Sequence, residues 1–118
     1  MIFVPRSDLE MHSNEYNSLM NNTKWEEIRL AMYNYPVKTL WRVKNIDNGY
    51  LSNWDGEWFY HFRLGGYNTI EWLEIKVDNV AIKNEVVNIL QKIHVPGEIF
   101  ENSIKVYGYK KDGFIDYI

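Results

Sequence analysis

Apolar and polar residues follow a helical period in the first patterned part of the chain. Three apolar residues recur every three or four positions between Thr23 and about Tyr33, which predicts a helix with one buried stripe. Thr23 and Glu26 fit a capping box, in which each side chain accepts from the backbone amide of the other residue. Arg29 lies at the edge of the stripe and is expected to keep its charged head in water. The stripe consists of Trp25, Ile28 and Met32.

From Thr39 the period changes to two, which indicates strands. Pairs such as Asn48-Gly49 and Asp55-Gly56 are typical of tight hairpin turns, because glycine adopts positive φ freely and Asn and Asp tolerate it. Successive strands are therefore expected to pair as hairpins. The predicted strands are residues 41–46, 50–54, 57–63, 69–77, 99–101, 104–109 and 114–118, the last pair joined by a turn at Asp112-Gly113.

The remaining pattern completes an α+β fold. A second amphipathic helix is predicted from a cap at Asp78 or Asn79 to about Ile93. Because only one long helix interrupts the strands, the order α-β-β-β-β-α-β-β(-β) predicts an antiparallel meander with two helices and not a doubly wound parallel sheet. In Tyr107-Gly108-Tyr109, the small residue is expected where another backbone passes closely.

Residues 1–22 differ from the rest of the chain. They become rich in Asn toward their end and show no sustained period, so they are predicted to form a flexible N-terminal arm. Met20 is a candidate for the natural start. Residues 23–118 are predicted to form a single domain, because a chain of 118 residues can bury one core but has no room for two.

The run from Trp54 to Phe62 is rich in aromatic rings. If residues 57–63 form a strand, one side carries Trp58, Tyr60 and Phe62, which we expect in the core. The other side then forms a partly open surface of rings and carboxylates, which suits protein recognition. The alternative is that helices or the C-terminal strands cover both faces and nearly all the rings are core. The predicted binding surface consists of Trp54, Asp55, Glu57, Phe59, His61, Trp72 and Glu74.

Composition and charge narrow the range of partners. Hydrophobic residues make up 46% of the chain and aromatic residues 16%, which predicts a packed core, and no apolar stretch approaches the ~20 residues of a membrane span. Cysteine is absent, which favours the cytoplasm and excludes thiol chemistry and Cys-based zinc sites. The net charge of −3 without a basic stripe argues against duplex nucleic acid and favours a basic protein partner.

No residue pattern points to catalysis. The three histidines lack the spacing of a metal site, and Glu57 with His61 is a weak metal signal. Glu57 and Glu74 are a poor acid–base pair, because carboxylates at strand edges are commonly solvated. We therefore expect no enzyme, no metal and no cofactor, and only residues that converge in three dimensions would change that expectation.

Several motifs together resemble a family of small bacterial proteins of unknown function. The resemblance covers about residues 20–118, leaves out the arm before Met20, and is specific through the combination of motifs. It implies a compact bacterial domain and brings no established active site with it. The motifs are WDGEWFYHF from Trp54, IEWLEI from Ile70, KIHVPGE from Lys92, VYGY from Val106 and the ending DYI from Asp116.

These observations lead to two hypotheses from different classes. The first is a cytoplasmic immunity protein, which binds and neutralises a cognate, basic toxin domain by stoichiometric inhibition; small size, acidity and the aromatic surface support it. The alternative is a small-ligand or single-stranded nucleic-acid binding module that uses the same rings for stacking. A toxin gene immediately upstream would favour the first hypothesis.

Overall fold

A computed structural model describes residues 16–111 and 116–118 of the chain. The helices are α1 (Asn22–Asn34) and α2 (Val80–Ile93), and the strands are β1 (Asn17–Ser18), β2 (Trp41–Asn45), β3 (Ile70–Lys76), β4 (Gly97–Ile99), β5 (Ser103–Tyr107) and β6 (Tyr109–Lys110). Four strands form one antiparallel sheet in the order β2-β3-β5-β4, while β1 and β6 pair separately. The predicted class, α+β with two helices and antiparallel strands, is confirmed.

Helix α1 begins slightly earlier than the sequence predicts. Its N-cap is Asn21, whose side-chain oxygen accepts from the backbone amide of Lys24 at 2.8 Å. The predicted capping box at Thr23 and Glu26 is therefore wrong, because Asn21 already satisfies the first turn and Glu26 binds partners elsewhere. The predicted stripe is confirmed, and its three buried residues are Trp25, Ile28 and Met32.

Helix α2 has a defined cap at each end. Of the two predicted N-caps, Asn79 takes the role, and its side chain accepts from the amide of Ile82 at 2.8 Å. The helix ends where His94 adopts a left-handed conformation with φ of 67° and donates its amide to the carbonyl of Leu90. The helix contributes Val86 and Leu90 to the buried core.

The four-stranded sheet has one covered face and one open face. The buried residues of both helices belong to the same core cluster as Leu73 and Ile75 of β3, so the helices pack on that side. Alternate residues of the strands point to the opposite side, which we call the open face. The covered face carries Trp41, Val43, Leu73, Ile75, Ile104 and Val106, and the open face carries Arg42, Lys44, Trp72, Glu74, Lys76, Glu98, Ser103, Lys105 and Tyr107.

The predicted strand at residues 50–54 is wrong. The segment runs antiparallel to β2, but in this described part of the chain it makes only isolated bridges. The ladder is interrupted at Ser52, whose hydroxyl accepts from the amide of Val43 at 3.0 Å in place of a main-chain carbonyl. The bridges pair Lys44 with Leu51 and Trp41 with Asp55.

The predicted strand at residues 57–63, and with it the hairpin at Asp55-Gly56, is also wrong. Residues 58–65 form turns. The segment from residue 46 to residue 69 therefore links β2 to β3 as a long connection with a compact turn at its centre, and that turn belongs to the candidate site.

Residues 17–22, which the sequence assigns to the arm, contact the domain in the structure. Strand β1 pairs with β6, and the amide of Leu19 donates to the carbonyl of Gly108 at 2.9 Å. Met20 packs against the core. Residues 1–15 of the predicted arm lie outside the described residues.

Gly108 confirms the expectation of a close backbone approach. A Cβ atom at this position would lie 2.1 Å from the carbonyl oxygen of Ile70, so no other residue fits without a shift of the backbone. The predicted turn at Asp112-Gly113 lies outside the described residues. Beyond it, Tyr117 forms a bridge with Pro96.

Candidate functional site

The aromatic turn, defined as residues 55–66, is built around the carboxylate of Glu57. One carboxylate oxygen accepts from the amides of Tyr60 and His61 at 2.8 and 2.7 Å, and the other accepts from the amide of Phe59 at 3.0 Å. In a strand these amides would donate to a neighbouring chain, whereas here one side chain collects them and closes a turn. The amide of His61, with those of Tyr60 and Phe59, holds the pKa of Glu57 below its ordinary value.

Asp55 ties the start of the aromatic turn to its middle. One oxygen accepts from the amide of Glu57 at 2.8 Å, and the other lies 2.8 Å from Nδ1 of His61. Burial raises the pKa of Asp55, but these contacts outweigh burial and the pKa lies below its ordinary value. Among the described residues His61 has no hydroxyl group as a hydrogen-bond partner, so the pair lacks the nucleophile of an Asp–His–Ser arrangement.

Helix α1 supports the aromatic turn through Arg29. The guanidinium donates to the carbonyl of Phe59 at 2.7 Å and to the carboxylate of Glu26 at 2.8 Å. The hydroxyl of Tyr67 donates a hydrogen bond to the same carboxylate. Arg29 is only 4% exposed, so the expectation that its head lies in water is wrong, because protein acceptors replace the water. Hydrogen bonds from Arg29 and Tyr67 hold the pKa of Glu26 below its ordinary value.

Two rings of the aromatic turn point into the core. Trp58 and Phe62 are 4% and 3% exposed, with ring centres 5.1 Å apart, and both pack against Trp41. The indole nitrogen of Trp58 also donates to the carbonyl of Thr39 at 3.2 Å. Tyr60 was predicted on the same buried side but is 64% exposed. The prediction for Tyr60 assumed a strand, in which every second residue lies on the same face. In a turn of helical pitch, residues four positions apart, such as Trp58 and Phe62, lie on the same side.

Other side chains of the turn point outward and meet helix α1. The rings of Tyr33 and Phe59 have centres 4.9 Å apart, and those of Phe59 and Tyr60 are 4.8 Å apart. The guanidinium of Arg63 lies 5.5 Å from the centre of the Phe59 ring, and Leu64 is 81% exposed. We call this surface the turn patch; it consists of Tyr33, Phe59, Tyr60, Arg63 and Leu64.

Four members of the turn patch escaped the sequence-based prediction. A signal was present: Glu57 precedes two apolar residues at spacing four, and Gly65-Gly66 follows them. Both glycines have positive φ, 81° and 83°, which ends the turn. This combination is typical of a capped helical turn and not of a strand. The missed residues are Tyr33, Tyr60, Arg63 and Leu64.

The structure divides the seven residues of the predicted binding surface into two groups. The aromatic turn brings four together, whereas the other three lie over the open face of the sheet. The carboxylates of the first group are engaged inside the turn and do not form a free acidic rim. The first group is Asp55, Glu57, Phe59 and His61, and the second is Trp54, Trp72 and Glu74.

Glu74 is buried and paired on the open face. Its carboxylate accepts from Nε of Arg42 at 2.9 Å and from the hydroxyl of Ser103 at 2.7 Å. Burial raises the pKa of Glu74, but the hydrogen bonds from Ser103 and Arg42 outweigh burial and the pKa lies below its ordinary value. The guanidinium of Arg42 lies 4.4 Å from the ring centre of Trp54, which fixes that ring over the sheet.

The open face is cationic, which corrects the expectation of an acidic aromatic surface. The expectation placed Glu57 on this face through a strand at residues 57–63 that the sheet does not contain. Without that strand, the nine residues of the open face include two carboxylates, the buried Glu74 and Glu98 of β4. The cations of this face are Arg42, Lys44, Lys76 and Lys105.

Comparison with known proteins places the chain in a family. The profile of DUF6678, a family of unknown function, matches residues 8–113. The chain therefore belongs to this family, and the expectation of an uncharacterised family is confirmed. The match begins at residue 8, earlier than the expected start of the resemblance at about residue 20. No curated protein and no solved structure matches the chain significantly.

Two features are absent from the described residues, a membrane-spanning helix and a cluster of metal ligands. Neither helix within residues 16–111 and 116–118 is long and apolar enough to cross a membrane. In the same residues, no three His, Cys, Asp or Glu side chains are grouped so that they could hold a metal ion.

Proposed function

We propose that the protein is a small bacterial immunity protein, a stoichiometric inhibitor that binds a cognate toxin domain through its turn patch. The observation that carries the proposal is the rigid construction of the aromatic turn. Glu57 and Arg29 fix its backbone, and Trp58 and Phe62 anchor it in the core. The outward residues are then presented in one geometry.

A fixed turn suits inhibition because little order is lost when it binds. Flexible loops must be immobilised on association, which subtracts from affinity, whereas a turn held by internal hydrogen bonds has already lost that freedom. Tyr and Arg are also enriched among the residues that contribute most to protein binding, and Leu64 adds exposed apolar surface beside them.

The negative charge of the protein favours binding of a basic toxin through the whole molecule and not through an acidic rim at the binding surface. The net charge of −3 favours encounter with a basic toxin over long range. The turn patch itself carries Arg63, and the nearby carboxylates of Asp55 and Glu57 are occupied. The proposal therefore assigns steering to the overall charge and anchoring to the rings, and it requires no catalytic residue or cofactor.

The test is co-expression of the protein with the toxic product of an adjacent gene, followed by co-purification and measurement of Kd. The double variant Tyr60→Ala/Leu64→Ala should raise Kd at least about tenfold, which corresponds to about 1.4 kcal/mol, and should lose protection in cells. The matched control is Tyr50→Ala/Leu51→Ala, because these residues are 58% and 41% exposed and lie in the same connection outside the turn patch.

Two results would remove the proposal. If no neighbouring product is toxic or binds, the immunity function is wrong. If the control variant Tyr50→Ala/Leu51→Ala weakens binding as much as Tyr60→Ala/Leu64→Ala, the turn patch does not anchor the toxin. Melting temperatures of both double variants should match the wild type, since all four side chains are exposed.

A second function, binding of a small ligand or single-stranded nucleic acid, is favoured by a different observation. A cleft on the cationic open face combines rings with lysines. It uses none of the turn patch, and the two functions do not exclude each other.

A further inference from the structure

We infer that the cleft between the open face and strand β6 binds a nucleoside phosphate, either as a free nucleotide or as a unit of a single-stranded nucleic acid. The cleft has a volume of about 300 Å³, at the lower end of the range for small-molecule sites. Its walls include two neighbouring rings and two lysines. These residues are Trp72, Tyr107, Lys105 and Lys110.

The rings form a platform set by strand register. Trp72 of β3 and Tyr107 of β5 are direct partners across the sheet, so their side chains lie next to each other on the open face. The hydroxyl of Tyr107 donates a hydrogen bond to Glu98, which holds the ring in place. The wall formed by Tyr109 is fixed as well, through a hydrogen bond of 2.6 Å to the carbonyl of Asn68.

The lysines supply positive charge at the cleft, and that of Lys105 is partly offset by Glu98, its direct partner across β4 and β5, and by Glu74. Nζ of Lys105 lies 4.0 Å from the ring centre of Trp72, and Nζ of Lys110 lies 4.6 Å from that of Tyr107. Neither ammonium forms an ion pair with a described carboxylate. Glu71, the acidic residue of the wall, lies 3.6 Å from Lys44 and is partly neutralised by it.

This combination fits a planar base attached to a phosphate. A base can stack on the platform once the lysines move aside, because an exposed cation–π contact is weaker than the stacking of a base on an aromatic ring. The displaced ammonium groups then reach the phosphate on flexible stems. A duplex offers no free base faces to such a platform, and an acidic peptide would leave the two rings without a partner.

The inference is independent of the proposed inhibition, and its test uses different variants. Fluorescence polarisation of labelled hexathymidylate measures binding of a single strand, and competition by AMP and UMP measures binding of free nucleotides. We expect saturable binding of the oligonucleotide that weakens with salt. Competition by the mononucleotides identifies a free nucleotide as sufficient, and its absence identifies the single strand as the ligand.

Lys105→Ala/Lys110→Ala is the main variant, and it should weaken binding at least about tenfold, since both cations face the cleft. Its matched control is Lys83→Ala/Lys92→Ala on helix α2, which removes the same charge elsewhere and should change binding less than about twofold. Trp72→Leu should also weaken binding about tenfold through lost stacking. If this variant does not fold, the lysine pair still decides the question.

Three results would overturn the inference. The first is no saturable binding of the oligonucleotide or of millimolar nucleotide. The second is an equal loss in the control pair, which would mean that overall charge alone attracts the ligand. The third is displacement of the oligonucleotide by polyglutamate as readily as by unlabelled hexathymidylate, which would make the cleft a general anion surface.

Discussion

Strand β3 and the aromatic turn carry similar sequence patterns but fold differently. In β3, Leu73 and Ile75 alternate with Trp72 and Glu74, and the alternation separates a covered from an open face. Residues 57–63 alternate in the same way, yet the buried residues Trp58 and Phe62 are four positions apart. Tyr60, which alternation would place on the same side, is exposed.

The difference lies in the source of hydrogen-bond partners. Strand β3 is flanked by β2 and β5, which satisfy its backbone on both edges. The amides of the aromatic turn are taken by the side chain of Glu57, and a carbonyl is taken by Arg29. Alternation therefore predicts a strand only where neighbouring strands are available, because a local side-chain acceptor stabilises a turn of the same residues.

The largest expected effect compares the inward and outward rings of the aromatic turn. Trp58→Ala should lower the free energy of unfolding by roughly 3–5 kcal/mol, because it removes a buried ring that packs on Trp41 and Phe62 and leaves a cavity. Tyr60→Ala, two residues away, should change the free energy of unfolding by less than about 0.5 kcal/mol. Urea denaturation of both variants measures the difference.

Equal effects of the two substitutions would contradict the division between inward and outward residues. A large loss in Tyr60→Ala would put this ring in the core, as strand alternation predicts. The comparison thus tests the turn directly against the strand that the sequence pattern favours.

A smaller effect is expected from the arginines on either side of Phe59. Arg29→Ala should lower the free energy of unfolding by about 2 kcal/mol, because the carbonyl of Phe59 loses its donor and the buried stem leaves space. The ion pair with Glu26 adds little, since that carboxylate is partly exposed. Arg63→Ala is the matched control.

Arg63 also lies near the ring of Phe59 but is exposed, so its removal should change stability by less than about 0.5 kcal/mol. Thermal unfolding followed by circular dichroism distinguishes the two variants. If both arginines prove equally dispensable, the aromatic turn is not held from helix α1.

The elements that the sequence predicts well are those set by local pattern. Both helices and strand β3 follow from spacing alone, and Gly108 follows from its position between two tyrosines. Two features of the site depend on distant partners: Arg29 donates to a carbonyl 30 residues away, and Glu74 accepts from the hydroxyl of a serine 29 residues later. No periodic pattern encodes such contacts, whereas the expected acidic surface failed because residues 57–63 form a turn and do not place Glu57 on the open face.

The smallest expected effect is a local one that depends on pH. The folded pKa of Glu57 lies below its ordinary value of about 4.3. Its hydrogen bonds therefore stabilise the turn fully above that ordinary value, and this stabilisation is lost as the pH falls through the lower, folded pKa. Amide hydrogen exchange at Phe59, Tyr60 and His61 should lose protection in that acidic window, while β3 amides stay protected.

Glu57→Gln provides the control for this titration. Glutamine keeps one acceptor oxygen but carries no charge, so protection of the three amides should be weaker at neutral pH and should no longer depend on Glu57 ionisation. Asp55 also has a lowered pKa, so its protonation contributes to the same loss of protection in acid. If wild-type protection at these amides does not fall anywhere between neutral pH and the onset of acid unfolding, the carboxylate of Glu57 does not hold the turn, and the contrast with β3 needs another cause.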